Sequence, residues 1–530
     1  MKRTMNARLL ATSALIAFGV ALSFAAPAGA QSTTIAPKTL PRIGSIDERF
    51  QSYNIEMVEV TGGRFWKPYA STAASAPANV NQPVGMDPSL YEYRKPIDLY
   101  NARLRKLAAA LGPAYVRVSG TWANSTYFQP ADSPAPAQAP TGFKGVLTRD
   151  QWKGVVEFSK ATGAKIVTSF AISAGTRDAN GVWTPAQARQ IFDYTKSLGG
   201  SIAAAELFNE PTMPEMGGAP KGYDAAAFAR DVQVFRDFAK SADPKMLALG
   251  PGSVGEGANS KILVPGMKIM KSEDMLTSTG PAFDVFSYHT YGAVSIRCKS
   301  MGADATTTAD AALSEDWLAR GAQSEEFYAG LRDRYEPGKP MWNTETAQAA
   351  CGGDRWASTF LDSFRYLNQL GDLARRGVQV HMHNTLAASD YGLLQEYTFE
   401  PRPNYWSALL WRRLMGTTVL DAGKSPSPNL HVYAQCLRNH PGGVALLVIN
   451  ADARDAQSLT VPTASERYTL TARELTDKQV QLNGIDLKLG AGDALPELKG
   501  TATQSGNVTF APVSITFLAI PKAHNASCQQ

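Results

Sequence analysis

The chain has 530 residues, of which 44% are hydrophobic and 19% charged. This composition excludes a disordered or collagen-like polymer and supplies apolar material for a large core, with two domains the natural expectation at this length. The formal net charge is +5. Lys2, Arg3 and Arg8 carry three of those charges in a leading segment without acids, so its removal would leave +2, which argues against a dedicated nucleic-acid binder.

That leading segment has the pattern of a secretory signal. Lys2, Arg3 and Arg8 form a basic region, Leu9 to Phe24 is mostly apolar, and Ala28-Gly29-Ala30 is a small-x-small cleavage site that would free Gln31. A membrane anchor is the other reading, opposed by the shortness of the apolar stretch and by the Pro27-Ala28-Gly29 that ends it. No later segment holds about 18 uncharged apolar residues in a row. An exported protein, periplasmic or extracellular, with no integral membrane segment in its mature chain is therefore expected. Cys298, Cys351, Cys436 and Cys528 favour two disulfides in an exported chain, with three possible connectivities, four buried thiols being the alternative. Their spacings match no metal motif, and neither a metal nor a cofactor is expected.

From about residue 50 to 415, apolar β-type runs alternate with helical patterns. The strand candidates are Phe50–Val60, Ala114–Ser119, Ala164–Ser173, Ile202–Pro211, Met246–Ser253, Phe283–Gly292, Pro340–Thr346 and Val378–Thr385. Several are nearly continuous apolar stretches, as strands covered on both faces should be. Between them, Leu99–Leu111 has helical spacing, Thr184 as N-cap and Pro185 at the first helical position open Pro185–Leu198, and Ala225–Lys240, Ser314–Tyr335 and Ala357–Arg376 look alike. Eight strand–helix units predict an α/β fold, a (β/α)8 barrel, with its chemistry at the C-terminal strand ends. Pro130–Pro140 predicts an exposed Pro/Ala-rich loop.

After about residue 416 the runs are short and alternating: Leu430–Gln435, Gly443–Asn450, Ser458–Val461, Tyr468–Glu474, Gln479–Leu482, Ile485–Leu489, Asn507–Phe510 and Val513–Ile520. They predict an all-β sandwich. The expected division is thus a signal over 1–30, an extended segment over 31–49 that can add a strand to the sandwich, a catalytic barrel over 50–415 and the sandwich over 416–530.

The fourth strand candidate ends in Glu206-Leu207-Phe208-Asn209-Glu210-Pro211 and the seventh in Trp342-Asn343-Thr344-Glu345-Thr346. Glu210 and Glu345 thus fall where a barrel places active-site groups. Strands four and seven can bring their carboxyl groups to roughly 5–5.5 Å, the separation of a retaining glycosidase. One carboxyl would be kept neutral to protonate the leaving oxygen and the other ionised to attack the anomeric carbon. Asn209 can bond a sugar hydroxyl beside that carbon. Tyr288-His289-Thr290-Tyr291 closes the sixth strand, where a Tyr can donate to Glu345; aromatic packing is the plainer expectation for Tyr288 and His289. His381 and His383 alternate on the eighth strand with no third residue spaced for a metal.

Asn-Glu-Pro after strand four with Glu at the end of strand seven resembles the retaining glycosidases of clan A. Phe50–Glu56, Leu111–Thr121, Pro403–Ser407, Val480–Gly484 and Ser514–Phe517 narrow it: from about residue 50 to 528 the chain resembles glycoside hydrolase family 79, the heparanase family. The resemblance implies a β-glucuronidase acting on glucuronate-containing polysaccharide or oligosaccharide. It implies Glu210 as acid/base, Glu345 as nucleophile, Asn209 beside the reacting carbon, Tyr291 on the nucleophile, and Glu56 and Thr121 on the sugar ring, Glu56 standing where the mammalian enzyme has Asp. Gly352, Gly353 and Tyr391 fall where the family holds the uronate carboxylate, and Asn384 replaces a substrate-contacting Gln. Cys436 and Cys528 match a family disulfide, which leaves Cys298 with Cys351. Two features depart from the family: Ser389-Asp390 replaces its glycine-rich approach to Tyr391, and Asp354 follows the two glycines, so each acid must point away. Only a short stretch, Pro130–Pro140, stands in the region of the family's excised linker, so a single uncleaved chain is expected. Another clan A glycosidase, of xylosidase or arabinofuranosidase type, and a catalytically inactive carbohydrate-binding barrel are the alternatives.

Overall fold

In a computed structural model the described residues are 33–71, 87–258, 268–301, 305–425 and 427–529. The signal reading of 1–30 lies outside them. Eight parallel strands close into a barrel: β1 (Gln51–Glu56), β2 (Tyr115–Ser119), β3 (Lys165–Ser169), β4 (Ile202–Glu206), β5 (Leu247–Ser253), β6 (Val285–Tyr291), β7 (Met341–Ala347) and β8 (Val380–His383), with β8 paired to β1. Each lies inside its predicted run except β7, which runs one residue past Thr346 to Ala347. Helices α1 (Ala102–Ala110), α2 (Arg149–Thr162), α3 (Ala186–Ser197), α4 (Ala225–Ala242), α5 (Ser272–Thr279), α6 (Glu315–Tyr335), α7 (Phe360–Arg375) and α8 (Pro403–Leu414) follow the strands in turn. The fold class is that of the sequence reading.

Two boundaries move for identifiable reasons. The run Phe50–Val60 is not one strand, because Glu59 reaches back to accept the Glu56 N–H at 2.7 Å and a one-turn helix forms over Met57–Thr61. Thr184 does not cap α3: its hydroxyl donates to the Thr176 carbonyl at 3.0 Å, and Pro185 takes the N-cap position. Pro130–Pro140 is an exposed loop without helix or strand, as expected.

The lower barrel interior is filled by Tyr115, Val167, Ala204, Leu249, Val285, Trp342, Val380 and Met382, with the Tyr115 and Trp342 rings 4.8 Å apart. Two residues further along these strands the inward set turns polar, with Arg117 on β2, Glu206 on β4, Ser287 on β6 and Thr344 on β7, all buried. That polar layer is the floor of the site.

The later strands form two antiparallel-rich sheets. The larger runs through Arg42–Ser45, Met415–Leu420, Leu430–Leu437, Val444–Asn450, Ser514–Ile520 and Ser465–Thr471 to the short Gln481–Leu482 and Ile485–Asp486. The smaller joins Thr33–Thr34, Gln457–Val461 and Gly506–Phe510. One face of the larger sheet packs on the smaller through Leu446, Val448, Leu459, Val508 and Phe510. Its other face, with Leu447, Ile449, Ile515 and Phe517, joins the core beneath α7 and α8. Tyr433 of this sheet donates to Asn368 of α7 at 2.7 Å. The cysteines pair as Cys298–Cys351 and Cys436–Cys528.

Candidate active site

β4 stops at Glu206, and Asn209 and Glu210 stand in the turn beyond it, Glu210 with φ +53°. A positive φ on a non-glycine residue costs conformational energy and marks a held geometry. The turn is held by Asn124, whose side chain donates to the Asn209 carbonyl at 2.9 Å and accepts its N–H at 2.8 Å. On β7, Trp342 and Thr344 face inward, so strict alternation would turn Glu345 away. A register shift against β6, with Tyr288 opposite Asn343 but His289 opposite Glu345, re-aims it into the barrel mouth.

One oxygen of Glu210, one of Glu345 and a ring nitrogen of His289 lie within 4.8 Å of one another. Tyr291 donates to Glu345 Oε1 at 2.6 Å, and Arg117 Nη1 donates to Glu345 Oε2 at 2.8 Å. Arg117 Nη2 reaches Glu206 Oε2 and Asn209 Oδ1, both at 2.8 Å. The remaining Glu206 oxygen accepts from Ser287 at 3.0 Å and Thr344 at 2.9 Å. Glu206 is therefore saturated and 1% exposed, whereas the Glu210 and Glu345 side chains keep 12% and 7% exposure toward the cleft. The same three-residue cluster has a metal-like spacing, but Arg117 already supplies it with a fixed cation.

His289 corrects the packing expectation. Tyr288 faces out of the barrel and packs on Tyr328 at 5.1 Å, as expected, but one step of alternation turns His289 inward. Its Nε2 lies 3.2 Å from Arg117 Nη2 and its Nδ1 3.0 Å from Glu210 Oε1. A guanidinium only donates, so Nε2 accepts, and the neutral ring carries its proton on Nδ1 and donates to Glu210. The ring is neutral because burial pushes it down to about 4, with Arg117 adding to burial and Glu345 opposing it. Burial likewise raises Glu210 to about 7, the Glu206 charge adding and Arg117 opposing. Burial would raise Glu206 too, but the Arg117 charge and the hydrogen bonds from Arg117 and Thr344 outweigh it and hold that group low. The two carboxyls at this end of β4 are thus driven apart, Glu210 toward an acid and Glu206 toward an anion.

The other predicted residues come together on the far side of Glu345. Asn384 Nδ2 lies 3.1 Å from Glu56 Oε1, 3.2 Å from the Tyr291 hydroxyl and 3.3 Å from the Tyr391 hydroxyl. Burial, then the charges of Glu345 and Glu59, push Glu56 well above the usual carboxylate range. Gly120 makes room for it: a Cβ there would stand 1.5 Å from Glu56 Oε2. Thr121 follows directly, half-buried.

Gly352 and Gly353 have φ +82° and +80°, and a Cβ would meet Ser389 Oγ at 2.6 Å or Ala357 Cβ at 2.8 Å. Gly353 also packs against Tyr391. The two acids of concern are turned away. Asp354 accepts from Ser295 Oγ at 3.0 Å and the Ile296 N–H at 2.7 Å. Asp390 pairs with Arg297 at 2.5 Å and accepts the Tyr69 N–H at 3.1 Å. His381 and His383 are buried and neutral, pushed by burial down to about 3 and 4; His383 Nε2 donates to the Tyr391 carbonyl at 2.8 Å.

Sequence reasoning gave no role to Arg117, Glu206 and Asn124, and gave His289 to packing. The available signal was Arg117 itself, a lone charge in the apolar run Tyr115-Val116-Arg117-Val118, since a buried cation implies buried acids around it.

A closed parallel barrel with two carboxyl groups facing each other beyond β4 and on β7 defines a glycoside hydrolase. The chain belongs to glycoside hydrolase family 79, whose N-terminal domain matches residues 95–371. It is 26% identical over 490 residues to heparanase-like protein 1 of Arabidopsis thaliana, covering 82% of this chain and 86% of that protein. To the hyaluronoglucuronidase of Hirudo nipponia it is 25% identical over 476 residues, covering 82% and 92%. The solved 4-O-α-L-rhamnosyl-β-D-glucuronidase of Fusarium oxysporum shares the fold with TM-score 0.63 and 14% identity, covering 92% of this chain and 100% of that one. Among the described residues no helix is long and apolar enough to cross a membrane.

Proposed function

We propose that the protein is an exported retaining β-glucuronidase that cleaves glucuronosyl linkages in uronate-containing polysaccharides. The observation that carries this reading is the close pair Glu210 and Glu345, one raised to about 7 and the other bound by Tyr291 and Arg117. In the first displacement a Glu345 oxygen attacks the anomeric carbon, the glycosidic bond breaks, and the Glu210 proton passes to the leaving oxygen. In the second, Glu210 takes a proton from water, the water oxygen attacks the same carbon, and Glu345 is released. Asn209 would bond the sugar next to the reacting carbon, and Glu56, Thr121 and Asn384 its ring hydroxyls. The uronate carboxylate would sit at Gly352, Gly353 and Tyr391, where backbone N–H groups can approach an anion closely. Export is supported by the paired cysteines.

Proton NMR of aryl β-glucuronide hydrolysis tests this reading: the β-anomer of glucuronate should appear first. The α-anomer first, or turnover of an aryl β-xyloside without the glucuronide, would overturn it. Glu210 works protonated in the first displacement, so kcat/KM should fall as pH rises through about 7. Glu210→Gln should lack this alkaline limb, and an unchanged limb in that variant would put the titration elsewhere.

The Cys298–Cys351 bridge joins the β6 loop to the residue just before Gly352. Replacing both cysteines by serine should therefore raise KM for the glucuronide about three- to tenfold with little change in kcat, because the carboxylate loop is loosened and the acids are not. Steady-state kinetics of the double variant reads this split.

A further inference from the structure

Resting on the glucuronidase reading, we infer that Arg402 is a positioning residue for uronate selectivity, holding the loop that presents Tyr391. Arg402 is buried at the start of α8. Its Nη1 donates to the carbonyls of Ser389 at 3.0 Å, Asp390 at 2.6 Å and Gly392 at 3.3 Å. The carbonyl between them, that of Tyr391, is held separately by His383 Nε2 and Ser358 Oγ, both at 2.8 Å. Four consecutive carbonyls are thus fixed by side chains from β8, the loop after β7 and the entrance of α8. The Tyr391 hydroxyl is left facing Asn384.

The loop needs this restraint. Ser389 has φ +59°, a conformation suited to glycine. Asp390 carries a carboxylate that would repel a bound uronate if the loop rotated, and it is instead paired with Arg297. Among the described residues no carboxylate stands within ion-pair distance of Arg402. The carboxylates of Asp390 and Glu396 act on it only from beyond that distance, so burial prevails and lowers its affinity for its proton, and a guanidinium so placed brings little net stability. Its value lies in the geometry that it imposes on residues 389–392, which the proposed function gives to the sugar's carboxylate through Tyr391. The reacting carbon is served by other loops.

Full-length Arg402→Lys and Arg402→Met are compared with wild type on an aryl β-glucuronide and on the β-xyloside of the same phenol, the same ring without the carboxylate. Both variants should lose about 10- to 100-fold in kcat/KM on the glucuronide. The loss should fall mainly in KM and be smaller for Lys, and the xyloside rate should move less than about threefold. Combined with Tyr391→Phe, either variant should lose far less than the product of the single losses. If Met fails to melt cooperatively, Lys, which keeps length and charge, carries the test. Equal losses on both substrates, a loss confined to kcat, or full additivity with Tyr391→Phe would overturn the assignment and leave the glucuronidase reading intact. Wild type preferring the xyloside would overturn both. Should wild type ignore the xyloside, the KM–kcat split and the double-variant cycle decide.

Discussion

Glu345→Ala should lower turnover of an aryl β-glucuronide by at least about 10⁴-fold, the scale seen when a nucleophile is removed from an otherwise intact site. The reason is local. Glu345 is the group on which Tyr291 and Arg117 converge, at 2.6 and 2.8 Å, so the site is organised around that carboxylate. On the proposed roles, truncation removes the attacking carboxylate, and the space it leaves should admit a small anion. Azide should therefore restore rate in Glu345→Ala and yield the α-glucuronosyl azide, since attack then occurs once, from the vacated face. Glu210→Gln should behave differently. It should lose about 10²- to 10⁴-fold on a natural glycoside, whose leaving oxygen needs a proton, and much less on a dinitrophenyl glucuronide, whose leaving group does not. Azide should then give the β-azide. Identical losses on both leaving groups, or an α-azide from the Glu210 variant, would exchange or abolish the two roles.

These two acids were legible because barrel architecture converts position along the chain into position in space. Eight apolar runs with helices between them fix the ring, and a strand end is then an address. The shell around the acids was less legible because it depends on inward or outward phase at single residues. His289 and Tyr288 are neighbours in one tetrapeptide, yet one touches Glu210 and the other packs on Tyr328 outside the barrel. A register shift between strands aims Glu345, and nothing in the local sequence announces it. The end of the first strand failed for a related reason: Met57-Val58-Glu59-Val60 is β-like in composition, and only the bond from the Glu56 N–H to the Glu59 carboxylate shows why it turns. The sequence departures at Ser389, Asp390 and Asp354 raised the right question, whether acids would crowd a uronate. Their partners Arg297, Ser295 and Ile296 answer it through contacts from loops remote in the chain.

Arg117→Met should destabilise the fold by about 3–5 kcal/mol and abolish activity, because it leaves buried charge without its partner. Arg117 is 1% exposed and stands between Glu206, also 1% exposed, and Glu345. Glu206 has no route to solvent and owes its charged state to Arg117 above all. Removing the guanidinium strands that anion in the barrel and frees Asn209 Oδ1 and His289 Nε2 together. The second variant separates fold from chemistry. In Arg117→Met/Glu206→Gln the fully buried pair is gone and a neutral amide can still meet Ser287 and Thr344, while Glu345 stays without its cation, so part of the lost stability should return. Activity should not return, since Glu345 still lacks the cation beside it and the Asn209 side chain the donor to its Oδ1. Urea unfolding of the two variants beside wild type measures the first difference, and turnover of the glucuronide the second. A double variant as unstable as the single one would show that Arg117 acts through its packing and hydrogen bonds and not through charge balance. A double variant that recovers turnover would show that Glu345 never depended on Arg117.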